Sequence, residues 1–442
     1  MNEPAKMTLK PYFDSVKNAN LYQVKGRVKE LTGLVVRAVI PNVRVGELCY
    51  IHIHNLDHLI KSEVVGFKES DVLLMPLGNL EGIGPGNDVT PTGDCLRVPV
   101  GEKLLGRILN GLGDPIDFET KGPLLSDKSY PVHNNPPDPL KRRRITNPIS
   151  LGIKSIDAVL TTGEGQRVGV FSAAGVGKSS LVGMIARNTE AEVNVICLVG
   201  ERGRELRDFL EHDLKEEGLK RSVVICATSD QPSLVRSKAA YVATAIAEYF
   251  RDQGKKVFFM MDSVTRFARA LREIGLALGE PPARQGFPPS VFSTLPKLLE
   301  RTGNSDKGSI TAFYTILVEG DDMNEPVADE VRSILDGHIV MSRDLANQGH
   351  YPAIDVSQSI SRLMVNIVSE EHRHAAKKLN EVVANYAKER DLILIGAYES
   401  GSNPQVDYAI EKIEEVNQFL RQDLYEKVDL KESVQRLIEI FE

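Results

Sequence analysis

The apolar run 168–171 opens onto Ser172-Ala173-Ala174-Gly175-Val176-Gly177-Lys178-Ser179-Ser180, and the chain continues from Lys178 in a helical pattern. Strand, glycine loop and helix in that order constrain the fold more than any other feature of these 442 residues. The loop glycines let backbone N–H groups turn inward around phosphates, and the helix that follows directs its positive end at the anion. Lys178 is placed to reach the β/γ-phosphates and the Ser179 hydroxyl to ligate Mg²⁺, while Ala174, Gly175, Val176, Gly177 and Ser180 complete the cradle. A nucleoside triphosphate with its Mg²⁺ is the expected ligand. The usual pattern carries glycine five residues before Gly177, and here Ser172 occupies that place.

The rest of the chain narrows the class. Apolar residues at 42% and charged residues at 26% are those of an ordinary globular protein with a large core. A net charge of -7, from 54 basic and 61 acidic residues, argues against a protein built to coat nucleic acid, so no nucleic-acid partner is expected. Cys49, Cys95, Cys197 and Cys226 lack the close spacing of a zinc or dithiol motif and read as thiols in a reducing compartment. Residues 1–30 have no signal-peptide pattern, and no run approaches the roughly 18 apolar residues of a membrane span. A cytoplasmic protein that meets a membrane only by docking is expected.

Short β-type runs at 22–28, 34–40, 47–53, 63–68 and 71–74, separated by Gly, Asn, Asp and Pro turns, predict an N-terminal β-barrel over residues 1–95. A glycine- and proline-rich stretch, 96–150, reads as a linker into the core; its Lys141-Arg142-Arg143-Arg144 suits a solvated connector face better than a nucleic-acid patch. Strand runs at 168–171, 193–199, 222–227, 256–261 and 310–318 then alternate with helical patterns at 178–189, 204–217 and 234–253. The fold class is therefore α/β: a P-loop NTPase (RecA-like) parallel-sheet core over 96–365, with ligands at the carboxyl ends of the strands. Helix-forming segments at 370–387, 404–424 and 430–441 predict a C-terminal helical domain, 366–442.

Two further strand ends carry carboxylates. Asp262 closes the run 256–261 and is a candidate for the Mg²⁺ shell, with Arg266 one helical turn on, placed to sense the γ-phosphate or pair with that carboxylate. The run 193–199 leads into Gly200-Glu201-Arg202-Gly203-Arg204-Glu205, which puts Glu201 at the end of a strand expected to neighbour the phosphate loop. A carboxylate there can orient the attacking water; a charged surface turn is the alternative.

Together with the phosphate loop and the 200–205 motif, Met261-Asp262-Ser263-Val264-Thr265-Arg266-Phe267-Ala268-Arg269-Ala270 and Gly349-His350-Tyr351-Pro352-Ala353-Ile354-Asp355 resemble the type III secretion and flagellar export ATPases, relatives of the catalytic subunit of rotary ATP synthases. The resemblance spans nearly the whole chain, and in that family small residues replace the first loop glycine. It implies ATP and Mg²⁺ as ligands, Glu201 as catalytic glutamate, Arg362 as an arginine finger reaching the neighbouring subunit's site, and Tyr351 near adenine. A homo-hexamer, a central stalk protein, a stator-like regulator, secretion chaperone–effector complexes and a membrane export gate are the implied partners, with peripheral docking at the inner membrane. The loop 279–290, centred on Gly286-Phe287-Pro288, would face the central channel, and the run 319–332 looks like the injectisome branch more than the flagellar one. A rotary ATP synthase subunit and a hexameric nucleic-acid translocase are the alternatives.

Overall fold

A computed structural model describes residues 24–53, 58–318 and 322–442. The chain divides after Cys95 into two compact units. In the first, β1 (Gly26–Thr32), β2 (Val35–Val39), β3 (Glu47–Ile53), β4 (His58–Lys68), β5 (Asp71–Pro76) and β6 (Asp88–Cys95) close a barrel in the order β1-β2-β5-β4-β3-β6. Alternate residues of β3 are buried, so Cys49 and Ile51 meet Val36, Val64, Leu74 and Val89 inside. The first strand begins later than its sequence suggested, and Tyr22 and Gln23 lie outside the described residues. A two-residue turn through Gly33, φ 58°, joins Thr32 to its partner Val35 and fixes that register. The closing strand β6 escapes a sequence reading because Pro91 and Gly93 break its strand signal; the barrel accommodates them beside a bulge opposite Glu47 and Cys49.

The second unit holds the parallel sheet. A ribbon of β7 (Arg97–Val100) and β9 (Lys128–Pro131) flanks it, and β8 (Ile108–Asn110) joins it as an edge strand. The remaining strands are β10 (Arg167–Ser172), β11 (Val193–Val199), β12 (Ser222–Ala227), β13 (Lys256–Asp262), β14 (Gly303–Asn304), β15 (Ser309–Leu317), β16 (Gly337–Met341) and β17 (Ile354–Ser361). Their order is β17-β16-β10-β15-β13-β11-β12-β8, parallel from β16 to β8; β17 pairs antiparallel with β16, and β14 antiparallel with β15. Every residue of β11 and β12 is buried, which is why both read as unbroken apolar runs.

The stretch 131–139 is tied to this core. Arg301 and Glu248, both fully buried, form a bidentate pair at 2.9 and 2.7 Å, and the third Arg301 nitrogen donates to the Val132 carbonyl at 2.9 Å. Within the basic run, Arg142 donates to the Thr302 carbonyl at 2.7 Å and Arg143 to that of Ser305 at 3.1 Å, so these charges act as structural donors.

Three C-terminal helices, Glu370–Leu394, Pro404–Leu420 and Leu430–Glu439, begin at Ser369, Asn403 and Asp429, whose side chains accept first-turn N–H groups. Their apolar faces share one core with the nucleotide domain, where Leu379, Val416 and Leu437 join Ile153 and Ile156. Buried His372 faces the Ala158 carbonyl at 2.6 Å across this contact. Among the described residues, no helix is long and apolar enough to cross a membrane.

Candidate active site

Ser172 ends β10 fully buried, paired in parallel with Leu317 and Met341. It has strand conformation, so its position needs a small residue and not a glycine. Gly175 and Gly177 have φ of 83° and 88°, the left-handed region that side chains resist, and Gly177 caps the helix Lys178–Asn188. The Lys178 ammonium sits 2.6 Å from Asp262 Oδ1, and Thr315 Oγ1 donates to that same oxygen at 2.7 Å. Asp262 is 3% exposed, so loop lysine and strand-end carboxylate form a nearly dry pair.

The strand expected beside the loop is not its neighbour. β15 and β13 lie between β10 and β11, because the helix Lys178–Asn188 carries the chain across the sheet and two later strands fill the space. The residues converge nonetheless: Ser179, Glu201, Glu205 and Asp262 line one cavity. Arg266 departs from expectation by pairing with Glu201 Oε1, at 3.3 Å, and donating to the Gly200 carbonyl.

Burial raises the Glu201 carboxyl to about 7, with a hydrogen bond to Glu205 and the charge of Asp262 adding to the shift, while Lys178 and Arg266 oppose it. Glu205 is held below its ordinary value, first by the hydrogen bond from Glu201. The hydrogen bond between the two carboxyls thus favours the proton on Glu201 over Glu205. Glu205 belongs to the 200–205 motif, and the sequence signal for its part in the site is its spacing of four from Glu201. Thr315 has no such signal, since nothing local marks a threonine within a buried strand as a carboxylate partner.

Tyr351 lies at the loop. A Cβ built on Gly177 would stand 3.5 Å from its ring, and the Tyr351 carbonyl accepts from the Gln422 N–H at 2.9 Å. Gln422 is itself buried, its side chain bridging the Lys154 N–H and the Gly152 carbonyl at 2.8 and 2.9 Å. The turn between the last two helices therefore braces the tyrosine from behind. Nearby, Lys215 and Arg187 lie 3.6 and 5.4 Å from the Tyr425 ring centre.

Arg362 stands apart. It follows β17, its N–H bonds the Asp336 carbonyl, and Asp336 in turn bonds Arg167 at the start of β10. The loop lies beyond the far end of β10, roughly 15 Å along the strand. Arg362 is exposed, its guanidinium 3.5 Å from the Arg332 carbonyl, and it cannot complete its own chain's site.

The loop 279–290 holds Phe287 under the Arg272 guanidinium, 5.5 Å from the ring centre, and 6.2 Å from the Phe292 ring. In the 319–332 run, residues 319–321 lie outside the described residues, and Pro326–Ile334 is helical.

Family models match along the chain: the β-barrel domain of the ATP synthase alpha/beta family at residues 28–93, its nucleotide-binding domain at 152–361, and the C-terminal domain of the T3SS ATPase EscN at 368–439. The flagellum-specific ATP synthase of Bacillus subtilis (strain 168) is 52% identical over 98% of both chains. The type 3 secretion system ATPase of Xanthomonas euvesicatoria is 51% identical over 90% of this chain and 89% of its own. Among solved structures, the assembled ATPase EscN of the enteropathogenic E. coli type III secretion system superimposes with a TM-score of 0.89 at 44% identity, over 94% of this chain and 99% of that one. EscN in complex with its central stalk EscO gives 0.87 at the same identity and coverage. With loop, carboxylates and all three domains in the family's order, the chain belongs to the type III secretion and flagellar export ATPases, the protein-export branch of the ATP synthase alpha/beta family, and is an ATPase.

Proposed function

We propose that this chain is the ATPase of a type III protein secretion apparatus, acting as a homo-hexamer that couples MgATP hydrolysis to release of chaperones, unfolding of effectors and their delivery to a membrane export gate. One observation carries the ring: loop, Glu201 and Asp262 converge in one site, whereas Arg362 lies at the opposite end of the sheet. An arginine so placed reaches a phosphoryl group only on a neighbouring copy, and such a finger contributes roughly 10³–10⁵ in rate.

The residues fit MgATP. Two left-handed glycines shape an amide cradle, and a hydroxyl with a buried carboxylate is the hard-oxygen set that Mg²⁺ takes alongside phosphate oxygens. Ser179 and Asp262 would hold the ion, which when bound neutralises phosphate charge. Lys178 would exchange Asp262 for phosphate oxygens, and Tyr351 would flank the base. Glu201, once ionised, orients the attacking water, and Arg266 fixes that carboxylate. The assembled relative with its stalk supports a ring that grips a central stalk, with the Phe287 loop as the gripping surface. Docking at the cytoplasmic side of the inner membrane through a stator-like regulator belongs to the same reading.

Purified Glu201→Ala protein should lose ATP turnover by at least about 10²-fold while still binding nucleotide; near-normal turnover would refute the assignment. A flagellar role is the second reading, favoured by the Bacillus relative. Deleting the chromosomal copy separates the two: loss of effector secretion with swimming intact supports the first, and loss of swimming the second.

A further inference from the structure

β15 is the strand inserted between β10, which leads into the phosphate loop, and β13, which ends in Asp262. It pairs Thr315 with Val170 on one side and Tyr314 with Met261 on the other, so Thr315 stands level with Asp262 and two residues short of Ser172. Its neighbours Phe313, Tyr314 and Ile316 are fully buried, as is Thr315 itself, and a valine would suit that strand as well. A hydroxyl in such a place costs stability unless it is paired. Thr315 Oγ1 lies 2.7 Å from Asp262 Oδ1 and 3.4 Å from the Met261 carbonyl, and its one proton goes to the carboxylate, the shorter and charge-assisted bond. One place beyond Ile316, the Leu317 N–H donates to Thr265 Oγ1 at 2.9 Å, which ties the helix Val264–Ala277, just after Asp262, to the same strand.

Lys178 meets that same Oδ1 at 2.6 Å. The two donors differ in kind: Lys178 carries its charge on a flexible four-carbon stem, whereas Thr315 is β-branched, stiff at χ1 and fixed in a buried strand. When Lys178 leaves for the phosphates, Asp262 loses its ion-pair partner in a nearly dry place, where a carboxylate short of donors turns towards any other it can reach. We propose that Thr315 is a positioning residue for this carboxylate. Its hydroxyl keeps Oδ1 after Lys178 has gone, so Asp262 stays directed at the cavity that it lines with Ser179. The inference rests on the reading of Ser179 and Asp262 as the pair that would hold Mg²⁺, and adds the group that fixes the acid when the lysine departs.

The test reads binding and not turnover. The probe is N-methylanthraniloyl-ADP, whose fluorescence gives a Kd for the full-length protein in excess Mg²⁺ and again in EDTA; the ratio of the two is the advantage that Mg²⁺ confers. In EDTA Lys178 can stay with Asp262, so the hydroxyl matters least there, and its loss falls on the Mg²⁺ complex. Thr315→Val fills the same space without the hydroxyl and should cut the ratio about tenfold, the worth of one hydrogen bond to a charged group. Thr315→Ser keeps the donor and should hold the ratio within about twofold of the wild type. Thr315→Ala, which also lacks the hydroxyl, should reproduce the loss and stands in should the valine variant not fold. Asp262→Asn separates the proposal from the reading beneath it. A ratio that collapses in Asp262→Asn but stays at the wild-type value in the hydroxyl-free variants overturns the role of Thr315 and leaves the Mg²⁺ pair standing. A ratio untouched by Asp262→Asn overturns both. An equal loss in the serine and valine variants would trace the effect to packing and overturn the proposal as well.

Discussion

Glu201 is where burial becomes chemistry. Its folded value of about 7 lies above the 4.5 of an unperturbed glutamate, so the folded protein holds this proton across that window. Stability from this group is therefore full below about 4.5 and is lost as pH rises towards 7. Glu201→Gln removes the titration, and the thermal midpoint of the nucleotide-free variant should exceed that of the wild type by a few degrees at pH 8, with the gap closing towards pH 5. For catalysis the ionised form is needed, so kcat/KM for ATP should rise through an apparent pKa near 7. Glu205→Gln removes the carboxylate that accepts the Glu201 hydrogen bond. The acidic limb of that profile should then move to lower pH, by about one unit; an unmoved limb would show that Glu205 does not bear on Glu201. The positions of Asp262 at the end of β13 and of Glu201 just beyond β11 were legible in the sequence. Arg266 was legible as a site residue but its partner was not, because which carboxylate it meets depends on how strands β11 and β13 lie side by side.

The element after Glu201 reads in sequence as one helix over 204–217, and folds as three pieces: Gly203–Asp208, a π-helical turn Phe209–Leu214, and Lys215–Lys220. Local propensity favours the regular helix; a neighbour decides otherwise. Gly183 of the phosphate-loop helix packs directly on the Asp213 backbone, where a Cβ would come within 2.6 Å of Asp213 Cβ and 2.8 Å of its carbonyl oxygen. Arg187, one turn later on the same helix, donates to that carbonyl. Lys215 adopts φ 56° to rejoin the helix, a conformation uncommon outside glycine. Gly183→Ala should therefore push the 209–214 turn off the loop helix and lower stability by about 1–3 kcal/mol, read as an earlier urea midpoint. Because Phe209 and Glu205 line the cavity that holds Glu201 and Ser179, kcat should fall with it if that cavity is the proposed site of hydrolysis. An alanine variant of wild-type stability and turnover would show that the two elements are not coupled. The C-terminal helices were the easier elements to read: their caps and apolar spacing are local, and only their far ends moved, to Leu394, Leu420 and Glu439.

At the scale of the whole molecule, the antiparallel turn of β17 sets what one chain can do alone. It returns the backbone to the start of β10 and leaves Arg362 at the wrong end of the sheet for its own phosphate loop. Mixing Arg362→Ala with Lys178→Ala subunits should therefore restore activity at interfaces that join an intact loop to an intact finger. In a random equal mixture these are half times half, about a quarter of all interfaces, each working at up to the wild-type rate. Mixed rings with no recovery would exclude a finger supplied in trans. The sequence by itself determined the phosphate loop, the carboxylates at strand ends, the β-barrel and the helical end, since each rests on spacing within a few residues. Only the tertiary structure decided the strand order that separates β10 from β11, the pairing of Arg266 with Glu201, the bracing of Tyr351 by Gln422 and the isolation of Arg362. Those depend on contacts between residues far apart in the chain, and periodicity carries no record of which distant strand or turn will be the neighbour.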